Sequence, residues 1–254
     1  MAKQPPPPTT TLVWLRQDFR LADNPALTAA VARGGAVLAV YVVDDVTPGA
    51  FAMGGASRWW LHHTLATFAA SLAKLGGALI LRRGNPCDII PALAAETGAD
   101  QVHANALHEP WFRANDRAIA TSLQNAGRRL VRHRAATLFD PEAIRTKTGT
   151  VYGIYTPFSR ACLAGPAPRP PLPAPVRVQA PDTLPPSVAL ADLALLPTTP
   201  DWAGGLRDAW APGEATAHAL LRHFVQTAIT GYETQRNLPA QPGTSRLSPH
   251  LHWG

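Results

Sequence analysis

A short run of hydroxyl-bearing and basic residues near the end of the sequence has the composition of a phosphate-binding loop. The run spans residues 243–249 and has the sequence GTSRLSP. Hydroxyl and backbone N–H groups donate hydrogen bonds to phosphate oxygens, and a guanidinium can donate to two oxygens at once. The same composition also occurs in ordinary turns, so the run alone leaves two interpretations open.

Two more side chains with binding chemistry precede this loop. Apolar residues recur at helical spacing over residues 215–232, which predicts a helix with a wide buried face. Tyr232 and Arg236 are four residues apart, so they share one face if this helix continues past its predicted end. Both lie within 17 residues of the end of the loop, and this clustering favours a binding function for the C-terminal part of the chain.

The rest of the sequence offers no catalytic or metal-binding pattern. After the first predicted strand a nicotinamide enzyme would carry Gly-x-Gly-x-x-Gly, whereas this chain has Arg16, Asp18 and Arg20. These bulky charged residues block a pyrophosphate, and we predict that they form an ion-pair cluster. His62 and His63 are adjacent and point to different sides of a helix, so they cannot share a metal ion well. We therefore predict no catalytic residue and no metal site.

Two aromatic pairs, Trp59-Trp60 and Trp111-Phe112, lie near the predicted starts of helices. Aromatic side chains at such positions can line a flat chromophore pocket, and they also serve as ordinary core packing. The sequence leaves both interpretations open.

Strands and helices alternate regularly over residues 11–134. Short apolar runs predict five strands, at residues 11–15, 36–43, 78–81, 101–104 and 129–133. Helices are predicted between them, beginning at Asn24-Pro25, at the capping residue Ser57, at Pro86 and at Pro110. Strand–helix–strand spacing of this kind implies parallel pairing with right-handed crossovers. The predicted fold is therefore α/β, with a doubly wound, parallel five-stranded sheet of Rossmann-like type.

The remaining sequence divides at changes of composition. We predict four segments: a disordered tail (1–10), the α/β domain (11–134), a connector (135–212) and the incomplete beginning of an all-α domain (213–254). The connector is dense in proline, which removes N–H donors and favours extended conformations, so we expect it to lie over the surface. Within it we predict one amphipathic turn near residues 189–196 and one apolar segment, residues 151–158, that docks.

Composition limits the partners and the location of the protein. The chain has 254 residues and a formal net charge of +6, carried almost entirely by Arg. This balance favours an anionic partner, or it reflects a GC-rich genome. The two cysteines form no disulfide or metal pattern, and no apolar run reaches membrane-spanning length. We expect a soluble, cytoplasmic protein that does not contact membranes.

In their order and spacing, several motifs of this chain resemble those of the photolyase and cryptochrome family. They are residues 12–21 (LVWLRQDFRL), 23–27 (DNPAL), 155–158 (YTPF), 212–214 (PGE), 232–236 (YETQR) and 243–251 (GTSRLSPHL). Each motif alone is moderately specific, but together they cover the chain from about residue 10 to its end. The resemblance implies an antenna-chromophore domain, an interdomain connector and the first part of an FAD-binding domain.

The resemblance also implies roles for individual residues. The family positions that contact FAD correspond here to Tyr232, Thr244, Ser245, Arg246, Leu247 and Ser248. The position of Arg236 contacts the DNA backbone in the family. The implied activity is that of a DNA photolyase, a carbon–carbon lyase that uses FAD and light to split cyclobutane pyrimidine dimers in UV-damaged DNA. The damaged bases are flipped into a pocket beside the flavin.

Several implications of the resemblance stay open. Some members with a folate antenna carry Tyr-Glu and then Asn-Glu where this chain has His108-Glu109 and Trp111-Phe112, so a folate antenna, a deazaflavin antenna and no antenna are all considered. The family continues well past the position that matches Gly254, so we expect a truncated, inactive form of a protein that is monomeric at full length. The alternatives are a cryptochrome-type blue-light receptor and a stand-alone α/β nucleotide-binding protein.

Overall fold

Five parallel strands form one sheet in the computed structural model of the chain, which describes residues 10–254. The strands are β1 (Thr11–Leu15), β2 (Val37–Val43), β3 (Ala78–Arg83), β4 (Gln101–Asn105) and β5 (Arg129–His133). Their order is β3-β2-β1-β4-β5, and every neighbouring pair is parallel. The predicted doubly wound sheet is confirmed. The predicted disordered tail lies outside the described residues, apart from its last residue.

Four helices connect the strands: α1 (Pro25–Ala32), α2 (Gly55–Lys74), α3 (Pro86–Glu96) and α4 (Pro110–Asn125). Asn24 and Asn85 cap α1 and α3 by accepting hydrogen bonds from the backbone N–H groups of Leu27 and Cys87, as Asn-Pro pairs predict. The predicted cap of α2 is wrong. This helix begins at Gly55 without a side-chain cap, so Ser57 lies inside its first turn.

The hydrophobic core has two parts, one on each face of the sheet. Val13 and Leu15 of β1 pack with residues of α1 and α2, whereas Leu12 and Trp14 pack with residues of α3 and α4. Both faces of β1 are therefore buried. This explains why its sequence is apolar throughout and does not alternate with polar residues.

The connector lies on the surface of the α/β domain, as predicted, and it also contributes buried residues and hydrogen bonds to that domain. It contains α5 (Tyr155–Ala164), α6 (Gly204–Ala209) and a 3-10 turn at Leu190–Leu193. Val178 is buried and its N–H donates to the backbone oxygen of Leu75, and the N–H of Val188 donates to β3. Val178 and Val188 are not prolines and keep their backbone N–H groups, and the hydrogen bonds of these groups attach the connector to the α/β domain. Residues 151–158 stay largely exposed, contrary to the predicted docking, and Tyr155 is 78% exposed.

The C-terminal segment contains three helices, α7 (Glu214–Thr227), α8 (Tyr232–Gln235) and α9 (Ser248–Trp253). The single helix predicted over residues 215–232 is therefore wrong, because a 3-10 turn at Ile229–Gly231 follows a break at Ala228. The predicted burial of its apolar face is not observed either, because no residue of α7 is buried within residues 10–254. None of the helices in this described part is long and apolar enough to span a membrane.

Candidate functional site

A buried network of charged residues closes the turn that follows β1. Arg16 donates to a carboxylate oxygen of Asp116 at 2.6 Å and to the backbone oxygen of Asn105. Asp18 accepts from the N–H of Arg16 at 2.7 Å and from the side-chain amide of Asn105 at 2.6 Å. Burial lowers the pKa of Arg16 and raises the pKa of Asp18, and the opposite charges counteract both effects. The predicted ion-pair cluster of Arg16, Asp18 and Arg20 is therefore only partly right. Arg16 forms a buried ion pair, but with Asp116. Asp18 contacts the backbone N–H of Arg16, and Arg20 donates to backbone oxygens.

A cavity of about 370 Å³ lies beside this network, at the carboxyl ends of β1 and β2. We call it the strand-end cavity, and its lining includes Trp14, Arg16, Gln17, Tyr41, Asp44, Phe51, Met53, Ser57, Glu109, Trp111, Phe112, Asn115, His252 and Trp253. Aromatic rings dominate the lining, and a small number of polar groups accompany them. Parallel α/β sheets bind ligands at this edge, and such a lining suits a flat, largely apolar ligand.

The loop that follows β2 forms one wall of the strand-end cavity. Its Asp45 pairs with Arg58 at 2.5 Å and with Arg83 at 2.6 Å. Desolvation raises the pKa of Asp45, but hydrogen bonds from Arg83 and Arg58 outweigh this effect and lower that pKa overall. Phe51 of the same loop stacks on Trp111, with ring centroids 5.2 Å apart and planes 16° apart. The ion pairs attach the loop to α2 and β3, and the stacked rings hold it against the beginning of α4.

The two aromatic pairs from the sequence have different places in the structure. Trp111 and Phe112 line the strand-end cavity. Trp59 and Trp60 are buried in the core between the sheet and α1 and α2. The structure therefore favours pocket lining for the second pair and core packing for the first.

Sequence reasoning missed several residues of the strand-end cavity. Tyr41 and Asp44 stand at the carboxyl end of a buried parallel strand, and that position is a signal that could have indicated them. Trp253 has no such signal, because α9 reaches the cavity from the other end of the chain. Its backbone oxygen accepts from the N–H of Phe19 at 3.0 Å.

The loop at residues 243–248 packs against the end of α8. Gly243 is buried, and a Cβ at this position would lie 2.5 Å from the Cβ of Gln235, so a larger residue would force the backbones apart. Arg246 has a φ of +54°, and its guanidinium lies 4.2 Å from the centroid of the Trp210 ring. The loop is thus fixed beside the helix that carries Tyr232.

Tyr232 begins α8, and Arg236 follows one turn later, so the two side chains lie together as predicted. The guanidinium of Arg236 is 5.4 Å from the centroid of the Tyr232 ring. Tyr232 also meets Phe224 edge-on, with centroids 5.5 Å apart. Tyr232 is 38% exposed, and Thr244 and Ser248 are exposed as well, so these groups are accessible to a ligand.

A second cavity, of about 840 Å³, lies between the α/β domain and the C-terminal segment. Glu214 connects its two walls, because its carboxylate accepts from the N–H of Leu21 at 2.8 Å and of Ala22 at 3.0 Å. Leu247 lines this cavity. The other predicted FAD contacts, Tyr232, Thr244, Ser245, Arg246 and Ser248, line neither of the two cavities. The structure therefore brings these residues into one region without enclosing them.

Comparison with known proteins relates the chain to one family. The family model for DNA photolyase matches residues 11–176. A deoxyribodipyrimidine photo-lyase of Agrobacterium fabrum is 43% identical over 243 residues, which cover 96% of this chain and 50% of that protein. Cryptochrome-1 of Arabidopsis thaliana is 32% identical over 250 residues, which cover 96% of this chain and 36% of that protein.

A solved structure shows the same relationship. The crystal structure of a bacterial class III photolyase from Agrobacterium tumefaciens matches with a TM-score of 0.91 and 41% identity, over 99% of this chain and 51% of that one. The chain thus spans about half the length of the photolyases that it matches. Because the family model covers more than half of its residues, and photolyases match it in both sequence and structure, the chain belongs to the DNA photolyase family.

Proposed function

We propose that this chain is the antenna-domain part, together with one side of the flavin site, of a deoxyribodipyrimidine photolyase that repairs cyclobutane pyrimidine dimers in UV-damaged DNA. The observation that carries the proposal is the packing of Gly243 against the end of α8, which holds the hydroxyl-rich loop beside Tyr232 and Arg236. The 43% identity to a deoxyribodipyrimidine photo-lyase supports the same activity.

FAD is the cofactor that we assign to residues 232–248. Thr244, Ser245 and Ser248 offer hydroxyl groups and Arg246 a guanidinium, a donor set that suits a pyrophosphate. Gly243 leaves the loop backbone free of a Cβ where it approaches α8. Reduced FAD, when bound, supplies the photoexcited electron donor that splits the dimer. In this proposal the residues of the chain, including Tyr232 and Leu247, bind and orient the phosphates and the ribityl chain.

Arg236 is assigned to a phosphate of the DNA backbone. A guanidinium suits such a contact, which positions the duplex without reading its bases. Because Arg236 stacks on Tyr232, its DNA contact and the flavin contact of Tyr232 would be adjacent.

The strand-end cavity is assigned to the antenna chromophore. Its aromatic walls, which include the stacked pair of Phe51 and Trp111, suit a conjugated ring system. The carboxylates of Asp44 and Glu109 can accept hydrogen bonds from ring N–H groups. Both a folate and a deazaflavin present such a ring, so this assignment covers either chromophore.

The chain by itself should bind FAD weakly and should not repair dimers, because residues 232–248 form one side of a flavin site only. The test is a titration of the purified chain with FAD, followed by flavin fluorescence. Thr244→Ala with Ser245→Ala should weaken binding about tenfold or more, since a hydrogen bond to a charged group contributes about 1.5 kcal/mol or more. The matched control is Thr121→Ala with Ser122→Ala, an exposed Thr-Ser pair on α4.

Equal FAD affinity of the two double variants would overturn the assigned site. Tight FAD binding together with light-dependent dimer repair by the unmodified chain would overturn the expected inactivity.

A cryptochrome-type receptor is the second candidate, because a cryptochrome is 32% identical to the chain. Tighter binding of the chain to dimer-containing DNA than to undamaged DNA would favour the photolyase. The absence of that preference, measured at a salt concentration high enough to suppress lesion-independent binding, would favour the receptor. A stand-alone nucleotide-binding protein would instead bind nucleotide through Asp44 and Trp111 of the strand-end cavity, with no dependence on Thr244.

A further inference from the structure

The net positive charge of the chain comes from a single stretch. Residues 113–160 contain eight Arg and one Lys against three acidic residues, which is a net charge of +6. The remaining residues carry 14 basic and 14 acidic side chains and are therefore neutral. A general enrichment in Arg would spread the charge over the chain, so the concentration in this stretch calls for a local explanation.

Most of these basic side chains are exposed and unpaired. Within residues 10–254, two of the nine form ion pairs: Arg132 with Asp116 at 2.8 Å, and Arg113 with Glu142 at 3.1 Å. The exposed basic residues without an acidic partner in this described part are Arg117, Arg129, Arg134, Arg145, Lys147 and Arg160. Their charge is therefore available to a partner.

Four of these residues follow one edge of the α/β domain. β5 is an edge strand that pairs with β4 alone, and α4 packs beside it. Arg129 begins β5 and Arg134 follows its end, so at about 3.3 Å per residue they lie about 16 Å apart along the strand. Arg117 is exposed on α4.

Arg145 is held at the same side by a chain of contacts. Its Nε donates to the backbone oxygen of Glu142 at 2.9 Å, and the carboxylate of Glu142 pairs with Arg113 near the beginning of α4. We call Arg117, Arg129, Arg134 and Arg145 the basic edge.

We propose that the basic edge binds the phosphate backbone of duplex nucleic acid without reading its sequence. Charges spread over about 16 Å suit an extended polyanion better than a single phosphate group. All four residues are arginines, and a planar guanidinium can donate two parallel hydrogen bonds to phosphate oxygens, a geometry that a lysine ammonium lacks. The basic edge shares no residue with the proposed FAD site and requires neither flavin nor a lesion.

The test measures binding of the purified chain to an undamaged, fluorescein-labelled DNA duplex in the dark, by anisotropy between about 50 and about 200 mM salt. The slope of log K against log salt is negative, and each lost phosphate contact makes it less negative by about 0.9. The triple variant Arg117→Gln, Arg129→Gln, Arg134→Gln should therefore make the slope less negative by up to about 2.7 and weaken binding at low salt tenfold or more.

The matched control removes three charges from elsewhere. Lys74, Arg177 and Arg222 are exposed and lie outside residues 113–160, so their triple Gln variant has the same net charge. We expect this control to change the slope by less than about 1. Equal losses for the two triple variants would show a net-charge effect and overturn the proposal. Binding to phosphatidylserine vesicles without binding to the duplex would overturn it as well.

Discussion

A single buried guanidinium organises the turn after β1. Arg16 is 4% exposed, and the carboxylates of Asp116 and Asp18 balance its charge. Removing a charge from water costs several kcal/mol, so such a group is tolerated only when its partners are in place. Arg16 also lines the strand-end cavity and lies 4.6 Å from the ring centroid of Trp14. The network that stabilises the turn therefore also shapes the proposed antenna site.

The first prediction concerns this network. Asp116→Asn removes the carboxylate that pairs with Arg16 and should lower the free energy of unfolding by about 3 kcal/mol or more, because it breaks a buried ion pair by removing one partner. Urea denaturation measures this change. Glu142→Gln is the control, since it breaks a partly exposed pair with Arg113 and should cost about 0.5 kcal/mol or less. Equal effects of the two substitutions would contradict the prediction.

The second prediction concerns two stacked histidines on β4 and β5. The ring nitrogens of His103 and His133 lie 3.1 Å apart, and His103 also contacts Gln101 at 3.0 Å. Burial, followed by the neighbouring His133, lowers the pKa of His103 from 6.5 to about 4. Between pH 6.5 and about pH 4, His103 is therefore protonated in the unfolded chain and neutral in the folded chain. Stability should fall as the pH decreases from about 6.5 to about 4.

His103→Gln removes this titrating group, so the variant should show a weaker pH dependence of unfolding than the unmodified chain over the same range. His218→Gln, on the exposed side of α7, is the control and should leave the pH profile unchanged. Identical profiles for the His103 variant and the unmodified chain would refute the prediction. Denaturation at several pH values measures all three.

At the scale of elements, Glu214 joins the beginning of α7 to the turn before α1. Glu214→Gln replaces two charge-assisted hydrogen bonds, to the N–H groups of Leu21 and Ala22, with at most weaker neutral ones. Hydrogen exchange of these two amides should become about tenfold faster, which corresponds to about 1.4 kcal/mol. Glu233→Gln on α8 should not affect them. Unchanged exchange in the Glu214 variant would argue against the role of this contact.

The hydroxyl-rich loop, residues 243–248, can pack against α8 because Gly243 has no side chain. In Gly243→Ala the new Cβ would meet the Cβ of Gln235 at 2.5 Å and its carbonyl carbon at 2.9 Å, so the loop must move. We expect faster proteolysis within residues 244–248 and weaker FAD binding. Gly204→Ala is the control, because a Cβ there meets no atom within 4 Å. A Gly243 variant as resistant and as tight in binding as this control would disprove the prediction.

At the scale of the whole molecule, the apolar face of α7 stays uncovered. Leu221 is 44% exposed and Val225 is 50% exposed, one turn apart on the same face. Exposed patches of this kind promote association, so the chain should self-associate as its concentration rises. Sedimentation velocity should show this, and Leu221→Gln with Val225→Gln should reduce it.

The control for association changes a leucine and a valine elsewhere. Leu163 is 81% exposed and Val176 is 95% exposed in the connector, so Leu163→Gln with Val176→Gln removes similar apolar groups without touching α7. A chain that stays monomeric at high concentration would contradict the prediction.

Much of the α/β half could be predicted from sequence because its signals are local. The predicted β1 and β5 match the observed bounds, and α3 and α4 begin at the predicted residues, Pro86 and Pro110. Burial of both strand faces produces continuous apolar runs, and Asn-Pro pairs mark helix starts. Prediction failed at Ala228, where helical periodicity continues through a break, and at α7, where an apolar face is not buried.

The sequence by itself determined the order of strands and helices, the motif series that places the chain in its family, and the pairing of Tyr232 with Arg236. Tertiary structure alone decided that Trp253 lines the strand-end cavity, that Arg246 stacks on Trp210, and that Glu214 joins the C-terminal segment to the α/β domain. The physical reason is the distance along the chain over which each kind of interaction acts. Periodicity and capping act between neighbours in the chain, whereas these contacts join residues far apart in sequence, and only the packed fold selects them.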